Sequence, residues 1–396
     1  MTGVREALVG PDIVVDSAVL KHHAVIVRDD RIEAVLPTAQ LPSDVSRHEL
    51  GPGLLTAGLV DIHTHGAGMR GFNEGSVEAN ETALAAYLSA GVTTVLPSLS
   101  TAPLEELVSA LEALEATRAK GSARIPGAHL EGPYFAYAQR GAQNANSLRV
   151  PSDGSVDRIL EYADLIKMVS FAPELPGAVE LTERLVALDI VAAAGHSDGV
   201  DEDLWKCQRA GLSHVIHIVS GQSTTTRRGP WRHPGMLEAT LASDGLTVEM
   251  IADGKHLPTT LMKLAVRCLQ GRLCLVSDST PGAGMPEGTE YRLGTREFVV
   301  EGGVGVTLDR TAFAGSTTLL SEMIPIAVNA LGMAVADVVA MATSIPAKAM
   351  RLPHVGRIAE GCYADFVLFD DDLIPIKVGL GGRWQPARTH EKAPCK

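Results

Sequence analysis

Short apolar runs alternate with amphipathic helical segments along most of the chain. The apolar run at 92–97 precedes a helical pattern at 104–119, and the run at 165–169 precedes one at 180–188. This alternation predicts parallel strands with helices packed outside them. About eight such units match the repeat of a barrel. The pattern therefore predicts an α/β fold with a (β/α)8 TIM barrel over residues 54–355.

The two ends of the chain lack helical periodicity and carry short apolar runs separated by turns. The first segment contains runs at 13–15 and 24–27, and a further run at 366–369 follows a turn near the other end. Each segment alone is too small to bury a stable core. We therefore expect residues 1–53 and 356–396 to pair into one small β-sandwich domain.

Polar side chains with metal-binding chemistry occur where the predicted barrel strands end. His63 and His65 alternate along the first strand and therefore point to the same side. Later strands supply further candidates, namely Glu131, His196, His214 and Asp278. Taken singly, each has a plainer interpretation as a hydrogen-bonded histidine, a turn carboxylate or a helix cap. Together, at strand ends that meet on the catalytic face of a barrel, they favour a site for one or two divalent cations.

The charge and composition of the chain indicate which partners it can bind and in which compartment it is expected. The 396 residues carry a formal net charge of -13 at pH 7, which provides no electrostatic basis for binding nucleic acid or an anionic membrane. The 5 cysteines, of which the last is Cys395, form no Cys-x-x-Cys pair, so no disulfide framework is expected. No signal-peptide pattern or membrane-length apolar run is visible. We expect a soluble cytoplasmic protein that acts on a small molecule.

Short motifs in a fixed order extend over nearly the whole chain. They include Gly-Leu-Val-Asp-Ile-His-Thr-His-Gly at 58–66, His-Leu-Glu-Gly-Pro at 129–133, Gly-His-Ser at 195–197 and Ile-Ala-Asp-Gly-Lys-His at 251–256. Their order and spacing resemble the amidohydrolase superfamily, specifically its N-acetylglucosamine-6-phosphate deacetylases. The resemblance implies a metal-dependent hydrolase that removes the acetyl group from an N-acetyl amino sugar phosphate, commonly as a homodimer.

The resemblance also implies which residues hold metal. One ion would be held by Glu131, His196 and His214. A second would be held by His63 and His65 and bridged through Glu131. Zinc is the ion expected first, and iron, manganese and cobalt are alternatives because histidine and carboxylate ligands accept all of them.

Two further residues, Asp278 and Lys167, are candidates for proton transfer and for bridging two metal ions. In the family, the aspartate that matches Asp278 takes a proton from the attacking water and passes it to the leaving amine. Lys167 lies on a predicted strand and is the alternative to Glu131 as the bridging ligand, because a modified lysine can do that job. Its neighbours favour a structural role.

Other positions concern the substrate. Gln143 and His217 stand where the family usually carries a substrate-contacting histidine and an asparagine near the phosphate, so both depart from its pattern. Arg232 and His256 match phosphate-binding residues of the family, and a guanidinium suits an anion. The expected substrate is N-acetylglucosamine 6-phosphate or a similar amino sugar phosphate. A different N-acyl or cyclic amide substrate and a metal-free scaffold are the alternatives.

Overall fold

A barrel forms the main body of the computed structural model, which describes residues 5–387. Eight parallel strands follow one another around it in chain order. They are Leu59–Thr64, Val92–Ser100, Ala128–Glu131, Ile166–Phe171, Val191–Ala194, His214–Val215, Thr247–Met250 and Leu273–Leu275. The Asp278 amide donates to the His63 carbonyl at 2.9 Å and the His65 amide donates to the Ser279 carbonyl at 2.7 Å, which joins the exit of the last strand to the first. The predicted (β/α)8 barrel is confirmed.

Helices surround the barrel because their apolar positions recur at helical spacing. In Leu104–Arg118, for example, Leu107, Leu111 and Leu114 are buried on one face while the glutamates between them are exposed. The α-helices of the described chain are Val77–Ser89, Leu104–Arg118, Ser155–Leu160, Ala178–Ala187, Asp201–Arg209, Met236–Ala242, Thr259–Cys268, Leu320–Leu331, Val335–Met341 and Ser344–Ala349. None of these helices is both long and apolar enough to cross a membrane.

A small β domain packs two sheets together and takes strands from both ends of the chain. Its four-stranded sheet contains, in spatial order, Arg31–Pro37, His23–Arg28, Arg5–Val9 and Ser46–Glu49. Its six-stranded sheet contains, in spatial order, Arg383–Pro386, Pro375–Leu380, Phe366–Phe369, Leu54–Ala57, Asp12–Val15 and Ala18–Leu20. Leu8 of the first sheet and Leu55 of the second share one buried core. Residues 1–4 and 388–396, which include Cys395, lie outside the described part of the chain.

The border between the two domains lies one strand later than the predicted border at residue 54. Leu54–Ala57 pairs with Phe366–Phe369 in the small domain, and the barrel begins only at Leu59. Between the two strands, a side chain at Gly58 would collide with Thr93, because a Cβ there would lie 2.1 Å from the threonine hydroxyl. The chain therefore leaves one sheet and enters the other within a run that reads as one apolar strand.

Additional β elements, which the sequence pattern did not predict, follow the barrel strands at their carboxyl ends. After the eighth strand comes an antiparallel four-stranded sheet of Glu290–Leu293, Arg296–Glu301, Val304–Thr307 and Phe313–Ser316. Two-stranded pairs are formed by Gly66–Ala67 with Arg70–Gly71 and by Thr226–Arg228 with Trp231–His233. The Ser316 amide donates to the Asp278 carbonyl at 2.8 Å, which fastens the four-stranded sheet to the mouth of the barrel.

Candidate metal centre

Side chains that can hold a metal converge at the carboxyl ends of the barrel strands, and each of these residues is buried. They are His63, His65, Glu131, His196, His217 and Asp278. His196 and Asp278 each have a φ of 44°, a left-handed conformation that non-glycine residues seldom adopt. Such backbone strain persists where the surrounding structure imposes it, and it is concentrated at functional sites.

The Glu131 carboxylate lies at the centre of this cluster, and both of its oxygens face imidazoles. Oε1 is 3.2 Å from His196 Nε2 and 3.1 Å from His217 Nε2. Oε2 is 3.3 Å from His65 Nε2, and His63 Nε2 is 3.5 Å from Oε1. A carboxylate in this position can bridge two cations.

Asp278 borders the half of the cluster that contains the first-strand histidines. Its Oδ1 is 3.3 Å from His65 Nε2 and 3.7 Å from His63 Nε2. Candidate ligand atoms therefore come close enough to share an ion in two overlapping groups: His63, Glu131 and His217, and His63, His65 and Asp278.

Hydrogen bonds on the far side of the imidazoles aim their Nε2 atoms at the cluster. His65 Nδ1 donates to the Ser98 carbonyl at 3.1 Å, and His196 Nδ1 donates to the Gln139 carbonyl at 2.8 Å. Because a carbonyl oxygen only accepts, each neutral ring carries its proton on Nδ1 and keeps the Nε2 lone pair for a metal.

His63 provides a test of whether the cluster fits a cation. Its Nδ1 donates to the Glu249 carboxylate at 2.7 Å, while its buried Nε2 has no hydrogen-bond partner. An unsatisfied buried polar atom is rare because it costs about 1–3 kcal/mol. The 3.1–3.5 Å separations around Glu131 match the edge of about 3.4 Å between ligands of a tetrahedral zinc ion with bonds of about 2.1 Å. The residues present fit a divalent cation.

Burial and mutual hydrogen bonds shift the protonation of the cluster. Burial alone would raise the pKa of Glu131 and lower the pKa of His65, but the imidazole–carboxylate contacts outweigh it. The pKa of Glu131 falls well below its usual range, and the pKa of His65 rises to about 9. Protons on the first-strand histidines, His63 and His65, therefore balance the carboxylates. A cation must displace those protons, so its binding weakens as pH falls.

His214 is not part of the cluster, which corrects the predicted ligand set. It is the first residue of the sixth strand and lies deeper in the barrel, where its Nε2 is 3.1 Å from Glu249 Oε1. His217 follows the same strand and carries its own Nε2 to Glu131. His217 therefore lies beside Glu131, where His214 was predicted to lie, and it also lines the cavity, so its predicted substrate role stays a prediction. The rule that barrel sites are built from strand ends favours His217.

A cavity of about 250 Å³ opens onto the cluster and is lined by three of the predicted substrate residues, Gln143, His217 and His256. The Gln143 amide nitrogen donates to the Glu131 carboxylate, and its oxygen accepts from the Thr101 amide at 2.9 Å. His256 Nδ1 donates to Asp253 Oδ2 at 2.7 Å. Gln143 thus contacts the bridging carboxylate itself, while His256 lies farther from the cluster, on the wall of the cavity.

Two other residues of the sequence analysis lie away from the cavity. Arg232 is exposed on the hairpin strand Trp231–His233 and is not among the residues that line the cavity of its own chain. Lys167, the alternative bridging residue, has its ammonium group 3.7 Å from Asp189 and makes no contact with the cluster. Glu131 is therefore the bridging residue that the geometry supports.

Sequence reasoning missed two residues that the structure places at or below the site. Arg296 lines the cavity and donates to the carbonyls of Ala142 at 2.7 Å and Gln143 at 3.1 Å. It belongs to the unpredicted four-stranded sheet, so no pattern pointed to it. Glu249 did leave a signal, because it is a charged residue in the middle of an apolar strand.

Comparison with known proteins finds relatives over nearly the whole chain. The model of the amidohydrolase family matches residues 54–389, and that of the NagA composite domain matches residues 7–54. The N-acetylglucosamine-6-phosphate deacetylase of Haemophilus influenzae is 28% identical over 96% of this chain and 100% of its own length. The N-acetylgalactosamine-6-phosphate deacetylase of Shewanella sp. is 30% identical over 94% of each chain. A similar solved structure is that of an N-acetyl-D-glucosamine-6-phosphate deacetylase variant from Mycobacterium smegmatis in complex with N-acetyl-D-glucosamine-6-phosphate. Its TM-score is 0.90, and it is 29% identical over 96% of this chain and 99% of that one.

Proposed function

The chain belongs to the amidohydrolase family, and from that premise we propose that it is a metal-dependent deacetylase. It hydrolyses the N-acetyl amide of N-acetylglucosamine 6-phosphate to acetate and the amino sugar phosphate. The observation that carries the proposal is the Glu131 carboxylate between two sets of imidazoles, with Asp278 beside them at a cavity for a small molecule. Relatives with this activity, which align over nearly the full chain, support the substrate.

We infer that the cluster holds one or two divalent ions. The proposed ligands of the first ion are Glu131, His196 and His217. Those of the second are His63 and His65, with Glu131 as the bridge and Asp278 beside them. Zinc is the ion expected first, while iron, manganese and cobalt suit the same ligands. Such an ion supplies a coordinated water whose pKa falls from about 15.7 to about 7, and it polarises a carbonyl oxygen.

Asp278 is placed to handle the protons of the reaction. As water attacks the amide carbon and the C–O bond forms, the proton of the water passes to the Asp278 carboxylate. When the C–N bond breaks, Asp278 returns that proton to the departing amine. Burial raises the pKa of Asp278, but the hydrogen bond from His65 and the nearby imidazoles hold it below its usual value. Without a bound cation, Asp278 is therefore ionised at neutral pH, which is the form that a general base requires.

The phosphate needs cationic or hydrogen-bonding partners away from the reacting amide. We assign His256 to this role, with Arg296 as a further cation on the cavity wall. Arg232 is exposed on its hairpin, and in the homodimer expected from the sequence it would serve the cavity of the partner subunit. In that case, mixing Arg232→Ala with Asp278→Asn protein should restore activity, because mixed dimers contain one complete site.

A charged sugar phosphate does not cross membranes unaided, which favours a cytoplasmic location.

A second candidate substrate is N-acetylgalactosamine 6-phosphate, which differs only at one hydroxyl group. The observation that favours it is the Shewanella relative, which is 30% identical over 94% of this chain. The acetamide and phosphate groups are the same in both compounds, so the metal centre and Asp278 serve either one. Discrimination must come from side chains that contact the sugar ring.

A substrate panel tests the proposed function. Acetate release is measured for the two sugar phosphates and for unphosphorylated N-acetylglucosamine, with the metal content determined on the same protein. We expect the highest kcat/KM for N-acetylglucosamine 6-phosphate and a value lower by about 10- to 100-fold without the phosphate, since a hydrogen bond to a charged group contributes about 1.5–3 kcal/mol. Metal-loaded protein that releases no acetate from either sugar phosphate would refute the proposal. Protein that binds no metal would favour the scaffold alternative.

A further inference from the structure

Glu249 is a fully buried carboxylate that the proposed reaction does not use. It lies within the seventh barrel strand, Thr247–Met250, and has no solvent exposure. Burial of an ionised carboxylate is costly unless strong hydrogen bonds compensate for the lost water. The partners of Glu249 therefore indicate what the side chain does.

Three N–H groups converge on this carboxylate. Glu249 Oε2 accepts from His63 Nδ1 at 2.7 Å and from the backbone amide of His217 at 3.1 Å. Glu249 Oε1 accepts from His214 Nε2 at 3.1 Å. His63 lies in the first barrel strand, and His217 follows the sixth. One carboxylate thus connects the side chain of one proposed ligand to the backbone of another.

We propose that Glu249 is a positioning residue of the metal centre and that His214 holds Glu249 in place. Because a carboxylate only accepts, His63 carries its proton on Nδ1, and its Nε2 lone pair is left for a cation between Glu131 and Asp278. The inference rests on the proposed function, since it concerns the same metal centre. It adds two residues that touch neither the cation nor the substrate.

His214 is itself fixed at both ring nitrogens. Its Nε2 donates to Glu249, and its Nδ1 lies 2.6 Å from the Thr247 hydroxyl. Neither His214 nor Glu249 is exposed to solvent. The contacts therefore run from the metal centre through Glu249 and His214 to Thr247, the first residue of the seventh strand. Thr247 is held in place by its backbone pairing with the sixth strand.

A purely structural role predicts different behaviour from a positioning role. If Glu249 only filled space in the barrel, an apolar side chain of similar volume would serve as well, because replacing a buried charge by apolar packing is often neutral or stabilising. If Glu249 orients His63, the replacement must keep a hydrogen-bond acceptor at the same place. The two roles are separated by the metal affinity of the protein, with no need for substrate.

The test compares Glu249→Met with Glu249→Gln in the full-length protein. Asn80→Leu is the matched control, because Asn80 is another buried polar residue, and it donates to Thr117 at 3.0 Å, away from the cluster. The readouts are the zinc dissociation constant from competition with a chromophoric chelator, the absorption spectrum of the cobalt-loaded protein, and thermal unfolding of the metal-free protein.

We expect zinc binding to weaken by about 10- to 100-fold in Glu249→Met, the usual effect of losing a hydrogen-bond partner of a metal ligand. The cobalt spectrum should change with it. Glu249→Gln should lie closer to the parent protein, because its amide oxygen can still accept from His63. Asn80→Leu should keep the parent zinc affinity and spectrum even if its unfolding temperature changes.

Parent-like zinc affinity and cobalt spectrum in Glu249→Met would overturn the proposal. If that variant does not fold, Glu249→Asp replaces it, because the shorter side chain keeps the charge but cannot keep the 2.7 Å contact with His63. Weakened zinc binding in Glu249→Asp would support the proposal, and unchanged binding would overturn it. Failure of the substrate assignment would appear as absent acetate release from metal-loaded parent protein, which leaves these zinc measurements intact.

Discussion

Substitution of Asp278 by asparagine isolates the proton-handling step. The amide matches the carboxylate in size, so the neighbours at 3.3 Å (His65) and 3.7 Å (His63) keep their places. Among the described residues that line the cavity, the carboxylates are Asp278 and Glu131, and Glu131 is already shared among imidazoles. No second carboxylate can take over. We therefore expect the full effect of losing general acid–base catalysis, a kcat lower by about 100- to 10,000-fold.

That decrease corresponds to an activation barrier higher by about 2.7–5.4 kcal/mol. KM should change little, because proton transfer contributes in the transition state rather than in substrate binding. The assay is the initial rate of acetate release at saturating zinc, with the metal content measured on the same samples. Asp309→Asn makes the same chemical change at an exposed position and should keep the parent kcat. Fully metal-loaded Asp278→Asn with a kcat within about tenfold of the parent value would refute the reasoning.

The remaining predictions concern the ligands, the phosphate and pH. His217→Ala should lower the zinc content, measured by atomic emission, far more than His214→Ala, because only His217 reaches the bridging carboxylate; equal losses would contradict the ligand assignment. His256→Ala should raise KM for the sugar phosphate by about 10- to 100-fold and leave turnover of the unphosphorylated sugar unchanged. Zinc binding should weaken as pH falls below about 9, the pKa of His65 in the metal-free protein, and calorimetry in buffers of different ionisation enthalpy should detect proton release.

The barrel was predictable because its physical requirements are local. Parallel strands buried on both faces need continuous apolar runs, and the helices outside them need one apolar stripe. The four-stranded sheet after the eighth strand left no such pattern. Its first strand, Glu290–Leu293, has one buried residue and is mostly exposed or half-exposed, and the sheet is stabilised by a separate core around Tyr291 and Phe298. Arg296 was missed for the same reason.

Most of the cluster was also predictable, because the residues that follow barrel strands share one face. His63, His65, Glu131, His196 and Asp278 converge as expected. Zinc identity, subunit assembly and the role of the exposed Arg232 stay predictions. Each of them depends on an ion or on a second chain, so the packing of one chain does not determine it.

The sequence by itself determined the class of fold and the kind of chemistry, because periodicity and residue type act over a few neighbouring positions. It could not determine which of the two histidines at the sixth strand, His214 or His217, lies beside Glu131. His214 is aligned with Ala193 on one side and Thr247 on the other, which places it below the strand ends. His217 lies beyond the strand and reaches Glu131 from another part of the chain. Depth along a barrel is set by the register between strands that are distant in sequence. Only the tertiary structure therefore decided that His217 contacts Glu131 in the cluster and that His214 contacts Glu249 beneath it.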